Sequence, residues 1–186
     1  MRGYWRAADE TRAVLADDGW LDTGDIGFVH EGELFLFGRR KDIVIIRGRN
    51  HAPQVFEQAA ERVAGVRKGC AVAAGLVPAD GDGEALFLFA ERDRRTTVAD
   101  DVLVAQVRRE VTEATAVVPH AVLLMPAGTL PRTSSGKLRR SETVRRYLAG
   151  SLTRPRGGDT LHAAAELVAS RLAFAKVALG AITRHE

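Results

Sequence analysis

Three short segments of the sequence place charged side chains beside glycine or small residues, where they can reach a ligand. The first, residues 20–25, ends in Thr-Gly-Asp, and a tight turn there presents the Asp25 carboxylate at the start of a strand. An ionised carboxylate can accept two hydrogen bonds from a vicinal diol such as that of ribose. An isolated turn of this composition is also typical of an ordinary Asx turn, so the segment alone leaves both interpretations open.

The second segment, residues 38–42, is a cationic break between two apolar stretches. The chain can change direction at this break. Arg39 can bind a ribose hydroxyl or a phosphate through its planar guanidinium group. The alternative is a solvated sheet edge whose charges prevent association with another sheet.

The third segment, residues 130–137, is a loop of small residues that ends in Lys137. It is not a Walker phosphate loop, because Leu130 replaces the first glycine and Leu138 replaces the magnesium-binding Ser or Thr. We expect a mobile loop that can carry Lys137 into a distant site, where its ammonium group suits a carboxylate or phosphate oxygen. The alternative is a flexible turn without a ligand.

The composition narrows the class of protein. The chain has 186 residues, of which 46% are hydrophobic, and a net charge of +3, which is typical of a globular protein. Its single cysteine, Cys70, cannot form an internal disulfide, and no apolar run approaches the roughly 20 residues of a membrane span, so we expect a cytoplasmic protein. The mild basicity argues against nucleic-acid binding, and the five histidines have no metal-ligand spacing.

The apolar pattern predicts an α+β fold, in which helices cover a small mixed sheet that follows a β-hairpin. We expect a short helix over residues 11–16, a hairpin over 26–37 and a strand over 43–46 that is buried on both faces. A helix should begin at Pro53 and bury Val55, Phe56, Ala59, Ala60 and Val63. The remaining predictions are strands over 70–76, 85–90 and 120–124, and helices over 97–116 and 141–148.

The C-terminal residues have a different pattern. A linker rich in Pro, Gly and Arg covers residues 153–158, and an amphipathic helix is predicted over 159–183. Its apolar residues recur alternately every four and three positions, which is the spacing of a coiled coil. The helix either packs back on the domain or mediates self-association or docking to a neighbouring domain.

Taken in order, these segments resemble the last motifs of the adenylate-forming superfamily, which includes acyl-CoA synthetases, luciferases, peptide-synthetase adenylation domains and fatty acyl-AMP ligases. The resemblance covers residues 3–150 and also includes Gly3-Tyr4-Trp5 and Arg47-Gly48. Residues 47–54 resemble the fatty acyl-AMP ligases, which usually carry an aromatic residue where Ala52 stands. Ile45 replaces a lysine of luciferases and many CoA ligases, which is consistent with the same branch.

The resemblance implies a role for five residues. Asp25 and Arg39 would bind the ribose hydroxyls of ATP and of the acyl-adenylate, and Lys41 would lie at a hinge. Gly48 would let a phosphopantetheine arm pass close to the backbone, or it is an ordinary turn glycine after a strand. Lys137 would reach the α-phosphate and carboxylate oxygens while the adenylate forms. The cofactors implied are ATP with Mg²⁺, bound mainly by an N-terminal domain, and as acceptor the phosphopantetheine of a carrier protein or CoA.

The resemblance also implies a domain organisation and an activity. Residues 1–40 would be the end of the preceding region and the hairpin up to the hinge, residues 41–150 the C-terminal lid domain, and residues 151–186 a linker and helix. The enzyme would convert a fatty acid and ATP into acyl-AMP and pyrophosphate and pass the acyl group to an acyl carrier protein. Without the family's N-terminal adenylation domain, the chain should be inactive alone. The alternatives are the lid of an acyl-CoA synthetase and a non-catalytic interaction module derived from such a lid.

Overall fold

The computed structural model describes residues 1–79, 81 and 83–152. Contacts between Cα atoms divide the chain into two units, of which the first is Met1–Lys41 and the second begins at Asp42. The helix predicted over 159–183 lies outside the described residues.

The first unit contains one short helix and a β-hairpin. Helix α1 (Ala8–Val14) begins three residues before its predicted start and ends two residues before its predicted end. Strands β1 (Asp25–His30) and β2 (Glu33–Arg39) pair antiparallel through the two-residue turn Glu31-Gly32. Both turn residues have positive φ, 50° and 82°, which is the geometry of a type I′ hairpin turn. None of residues 1–41 is buried, and the apolar side chains of the hairpin are exposed on both faces.

The second unit has the α+β architecture that the sequence predicts. A single 3₁₀ turn at Arg40–Asp42 leads into it. Its elements are β3 (Val44–Ile46), β4 (Arg49–His51), α2 (Pro53–Arg62), β5 (Val66–Leu76), β6 (Ala85–Arg92), α3 (Asp100–Thr115), β7 (Ala121–Met125) and α4 (Arg140–Leu148). Strands β3 and β4 form a separate antiparallel hairpin. The main sheet has the order β5-β6-β7, with β5 antiparallel and β7 parallel to β6, so it is mixed.

Alternate residues of the main sheet belong to two apolar clusters. Leu86 and Leu88 pack with side chains of α2 and α3, whereas Phe87 and Phe89 pack with Tyr147 of α4 and with Leu130. This alternation follows from the two-residue period of a strand. Helices therefore cover both faces, and the loop that carries Lys137 starts from the α4 side of the sheet.

Two expectations about burial were wrong. Val44 is fully buried but Ile45 is 47% exposed, because β3 pairs with the short polar strand β4, which the pattern did not predict, and lies outside the main sheet. Val55 is 48% exposed, whereas Phe56, Ala59 and Ala60 of the same helix are buried. Helix α2 thus buries a narrower stripe than its apolar residues indicate.

The helix boundaries have local causes. Pro53 occupies the first turn of α2, where its missing N–H leaves no hydrogen bond unmade. Helix α3 ends because Ala116 adopts the left-handed conformation, with its N–H donating to the Thr112 carbonyl. No helix in the described residues combines the length and the apolar content that a membrane crossing requires.

Candidate functional site

Asp25 and Arg39 face each other across the first hairpin. They are register partners at the open end of β1 and β2, and Arg39 Nε lies 3.3 Å from Asp25 Oδ1. Both side chains remain partly exposed, 37% for Asp25 and 58% for Arg39. The structure therefore brings the two predicted ribose-binding residues into one exposed ion pair.

Side chains of the preceding turn fix the position of Asp25. The Gly24 N–H donates to Asp22 Oδ1 at 2.8 Å, and the Asp25 N–H donates to Thr23 Oγ1 at 3.1 Å. The Arg40 N–H donates to the Gly24 carbonyl at 2.8 Å, which ties the end of β2 to this turn. The local polar residues thus account for a strand that begins at Asp25.

An open pocket lies beside this pair in the first unit. Its volume is about 350 Å³. Its lining residues are Val14, Asp22, Thr23, Gly24, Arg39, Arg40 and Lys41. A carboxylate and several cations around one cavity suit a ligand that combines hydroxyl groups with negative charge.

Gly48 lies in the turn between β3 and β4. Arg47 and Gly48 have φ values of 50° and 73° and form a two-residue connection between Ile46 and Arg49, which again defines a type I′ turn. Apart from its two chain neighbours, no residue in the described part of the chain has an atom within 4 Å of the position that a Cβ on Gly48 would take. The positive φ at position 48 is by itself a sufficient reason for a glycine there. The space beside Gly48 is open.

Lys137 closes a small hydrogen-bonded hairpin between β7 and α4. The Thr133 N–H donates to the Lys137 carbonyl at 2.8 Å, and the Lys137 N–H donates to Thr133 Oγ1 at 3.0 Å. Arg132 and Leu138 form an antiparallel bridge just outside this pair. The sequence predicts a mobile loop here, whereas the structure has a defined hairpin, because the Thr133 side chain replaces missing backbone partners.

The Lys137 side chain is exposed and projects from this fixed backbone. Among the described residues, its ammonium group has no hydrogen-bond acceptor and no carboxylate partner. A cation without an internal partner can neutralise negative charge on a bound ligand without first breaking an ion pair.

Glu91 anchors the start of the Lys137 loop. This carboxylate is completely buried, with Oε2 at 2.8 Å from Arg67 Nη1 and Oε1 accepting the Leu130 N–H at 2.9 Å. Burial alone would raise the pKa of Glu91, but hydrogen bonds from the Gly128 and Leu130 N–H groups and the Arg67 guanidinium outweigh it and lower the pKa. An ionised carboxylate, with hydrogen bonds to both of its oxygens, therefore anchors the segment that follows β7.

Arg132 links the Lys137 hairpin to strand β5. Its Nη1 donates to the Gly136 carbonyl at 2.7 Å, and its Nη2 lies 2.9 Å from both the Gly69 carbonyl and Cys70 Sγ. Burial, and then the charge of Glu91, raise the pKa of the Cys70 thiol, so the sulfur is neutral and acts as a weak acceptor.

Arg140 anchors the residue that follows Lys41. Its guanidinium group lies 2.7 Å from Asp42 Oδ2 and 2.6 Å from Glu57 Oε1, and its Nε donates to the Ala73 carbonyl at 3.0 Å. These three side chains are largely buried. The first residue of the second unit is thereby held against α2, β5 and α4.

The predicted site residues fall into three places. Arg39 and Lys41 line the pocket of the first unit and Asp25 pairs with Arg39 beside it, whereas Gly48 and Lys137 lie in separate loops of the second unit. The sequence reasoning missed Glu91, although a charged residue that directly follows the apolar run 85–90 is a signal for a buried ion pair.

In the described part of the chain, no group of three or more His, Cys, Asp or Glu could hold a metal ion.

Known proteins resemble this chain over most of its length. It is 42% identical over 156 residues to a Caulobacter vibrioides protein that bears the name acyl-CoA synthetase, a match that covers 81% of this chain and 26% of that protein. It is 37% identical over 158 residues to the medium-chain fatty acid–[acyl-carrier-protein] ligase JamA of Moorena producens, covering 81% of this chain and 27% of the ligase. No family model matches the sequence.

A solved structure supports the same relationship. A structure from work on fatty acyl-adenylate ligases of E. coli and L. pneumophila aligns with a TM-score of 0.63 and 34% identity, over 82% of this chain and 27% of the other. The chain is similar to fatty acyl-AMP ligases and acyl-CoA synthetases, which are members of the adenylate-forming superfamily. It spans about a quarter of the length of these relatives.

Proposed function

We propose that this chain is the C-terminal lid of an ATP-dependent ligase that activates a fatty acid. In the first step the fatty acid carboxylate attacks the α-phosphorus of ATP, and acyl-AMP and pyrophosphate form. In the second step the thiol of a carrier-protein phosphopantetheine attacks the acyl carbonyl, and AMP leaves. The resemblance to ligases with fatty acid and acyl-carrier-protein names supports this assignment.

The exposed ammonium group of Lys137 is the observation that carries the proposal. Negative charge accumulates on the α-phosphate and carboxylate oxygens as the adenylate forms, and a preorganised cation stabilises that transition state. The hairpin fixes the Lys137 backbone, and the described residues offer its ammonium group no competing carboxylate. Lys137 therefore has the freedom to meet a ligand that another part of the enzyme holds.

We assign the Asp25–Arg39 pair to the ribose of ATP and of the acyl-adenylate. Arg39 Nε contacts Asp25 Oδ1, which orients the carboxylate and leaves its other oxygen for a ribose hydroxyl. The adjacent pocket has room for a ligand beside the pair. Lys41 lines the same pocket and is the last residue of its unit, which supports its assignment to the hinge.

Asp25→Asn should raise the KM for ATP about ten- to a hundred-fold, because a hydrogen bond to a charged acceptor contributes about 1.5–3 kcal/mol. The measurement uses a ligase chimaera, namely JamA in which this chain replaces the segment that it matches. We expect the variant also to lose most of the discrimination between ATP and its 2′- or 3′-deoxy analogues. Asp9→Asn, which changes an exposed carboxylate paired with Arg12, is the matched control. Equal KM values for the Asp25 variant and the control would refute the ribose assignment.

We assign Gly48 to the passage of the phosphopantetheine arm. Gly48→Leu should slow acyl transfer to the carrier thiol about tenfold or more and leave adenylate formation within about twofold, because only the second step needs that space. Gly32→Leu is a matched control, since Gly32 holds the same position in the other type I′ turn and also has open space beside it. Equal transfer rates for the two variants would contradict the assignment.

We further propose that this chain is inactive alone and acts with an N-terminal adenylation domain that holds the fatty acid and most of the Mg²⁺–ATP. Binding residues without a pocket for both reactants cannot bring them into attack geometry. The test is ATP–pyrophosphate exchange by the isolated chain, by JamA without the matching segment, and by the ligase chimaera. Only the chimaera should be active, and exchange by the isolated chain would overturn this proposal.

The similarity to an acyl-CoA synthetase favours a second acceptor, CoA. Both acceptors present the same phosphopantetheine thiol, so the first step is common to them. Transfer from preformed acyl-AMP to acyl carrier protein and to free CoA, measured side by side in the ligase chimaera, distinguishes the two. We expect faster transfer to the carrier protein, and faster transfer to CoA would assign the chain to a CoA ligase.

A further inference from the structure

We propose that Arg132 is a positioning residue for Lys137, which holds the lysine hairpin against strand β5 so that the ammonium group is presented in one orientation. This inference rests on the proposed function of Lys137. It assigns a separate task to a side chain that need not touch the substrate.

The hydrogen bonds of Arg132 connect Gly136, on the strand of the hairpin that carries Lys137, to strand β5. Nη1 binds the carbonyl of Gly136, the residue directly before Lys137. Nη2 reaches the Gly69 carbonyl and Cys70 Sγ, more than sixty positions away in the sequence. One planar group thus joins the residue beside the lysine to β5.

A second anchor fixes the near end of the same loop. Glu91 accepts the N–H of Leu130, and Leu130 is itself buried in the cluster that contains Phe89 and Tyr147. The Arg139 N–H donates to the Pro131 carbonyl where the loop enters α4. These contacts hold both stems. Bonds to Thr133 close the hairpin at its tip, and Arg132 is what connects that tip to strand β5 among the contacts described.

The geometry requires a guanidinium group rather than any cation. The acceptors of Arg132 are two carbonyl oxygens and a neutral sulfur, and none of the described residues gives it a carboxylate partner. Arginine offers donors in a rigid planar fork and can bind these acceptors at once, while lysine offers a single nitrogen on a flexible stem. Displacement of a catalytic group by about 1 Å can lower a rate about a hundredfold, which makes such a clamp functionally significant.

A double-mutant cycle in the ligase chimaera tests the inference. Arg132→Ala should lower kcat for ATP–pyrophosphate exchange about ten- to a hundred-fold and leave the KM for ATP within about twofold, because the lysine is misplaced while nucleotide binding persists. If Arg132 acts through Lys137, the Lys137→Ala/Arg132→Ala variant should be no slower than Lys137→Ala alone. Arg132→Lys should recover less than about a tenth of the lost activity.

The controls separate positioning from damage to the fold. Arg109→Ala removes an exposed arginine whose partner is Glu113 on the same helix, and it should leave exchange unchanged. Acyl transfer from preformed acyl-AMP should persist in Arg132→Ala, which shows that the variant is folded. Three results would each overturn the positioning role: exchange by Arg132→Ala at the rate of the unsubstituted chimaera, a raised KM of Arg132→Ala for ATP, or additive losses of activity in the double variant. If Lys137→Ala itself is fully active, the proposed function fails instead.

Discussion

Replacement of Lys137 by alanine should lower ATP–pyrophosphate exchange by the ligase chimaera about a hundred- to a thousand-fold. The loss corresponds to removal of one preorganised charge from the site where negative charge develops in the transition state. Because we assign the lysine to adenylate formation, the kcat of exchange should fall while transfer from preformed acyl-AMP to the carrier thiol changes little. A pyrophosphate exchange assay and a single-turnover transfer assay measure the two steps separately.

Lys68→Ala is the matched control for this substitution. Lys68 is an exposed lysine whose ammonium group donates to the Glu61 carbonyl of α2 and not to the Lys137 hairpin. Its removal should leave both half-reactions within about twofold, as surface substitutions usually do. Exchange by Lys137→Ala at the rate of this control would remove the basis of the proposed function.

Glu91→Ala should lower the free energy of unfolding of the chain by about 3–5 kcal/mol. The substitution leaves the Arg67 guanidinium and the N–H groups of Gly128 and Leu130 without their buried acceptor. Chemical denaturation of the 186-residue chain measures the change. Glu113→Ala, in an exposed pair with Arg109, should change the stability by less than about 0.5 kcal/mol. Equal stabilities of the two variants would show that the Glu91 cluster does not hold the fold.

The same carboxylate predicts a dependence of stability on pH. The pKa of Glu91 is lowered in the folded chain, so its contribution is fully present above the unfolded value of about 4.3 and is lost as the pH falls through the folded value. In that acidic range the unfolded chain binds a proton that the folded chain does not, and stability decreases. Glu91→Gln should therefore make the unfolding free energy depend less steeply on pH below about pH 4.3. An unchanged slope would contradict the lowered pKa.

The sequence predicted well those elements whose apolar period is regular. The hairpin with Glu31-Gly32, helix α2 after Pro53 and strand β6 all follow from local patterns, and the α+β class is confirmed. Strand β3 shows that a local apolar pattern does not determine burial. Its run of Ile and Val residues indicated burial on both faces, but burial depends on which strand pairs with it, and β4 is a polar strand with no signal of its own.

Motif chemistry identified candidate residues but not the side chains that support them. Asp25 and Arg39 were predicted from separate segments, and they become register partners only because the pairing that begins at the two-residue turn shifts by one residue between Ile26 and Gly27. The contacts of Arg132 with Gly69 and of Arg140 with Asp42 join residues more than sixty positions apart. Such pairs depend on the packed fold, and no local spacing reveals them.

The central claim is that a positive charge at position 137 promotes adenylate formation, and chemical restoration of that charge tests it most directly. Lys137→Cys in the ligase chimaera should lose exchange, and alkylation with 2-bromoethylamine, which rebuilds an ammonium group on a side chain of nearly lysine length, should restore it. Iodoacetamide, which adds a neutral group, should not. Cys70 is buried, and mass spectrometry can verify that position 137 is the modified site in this part of the chimaera. Exchange that survives in the unmodified cysteine variant, or that does not return with the ammonium group, would contradict the account.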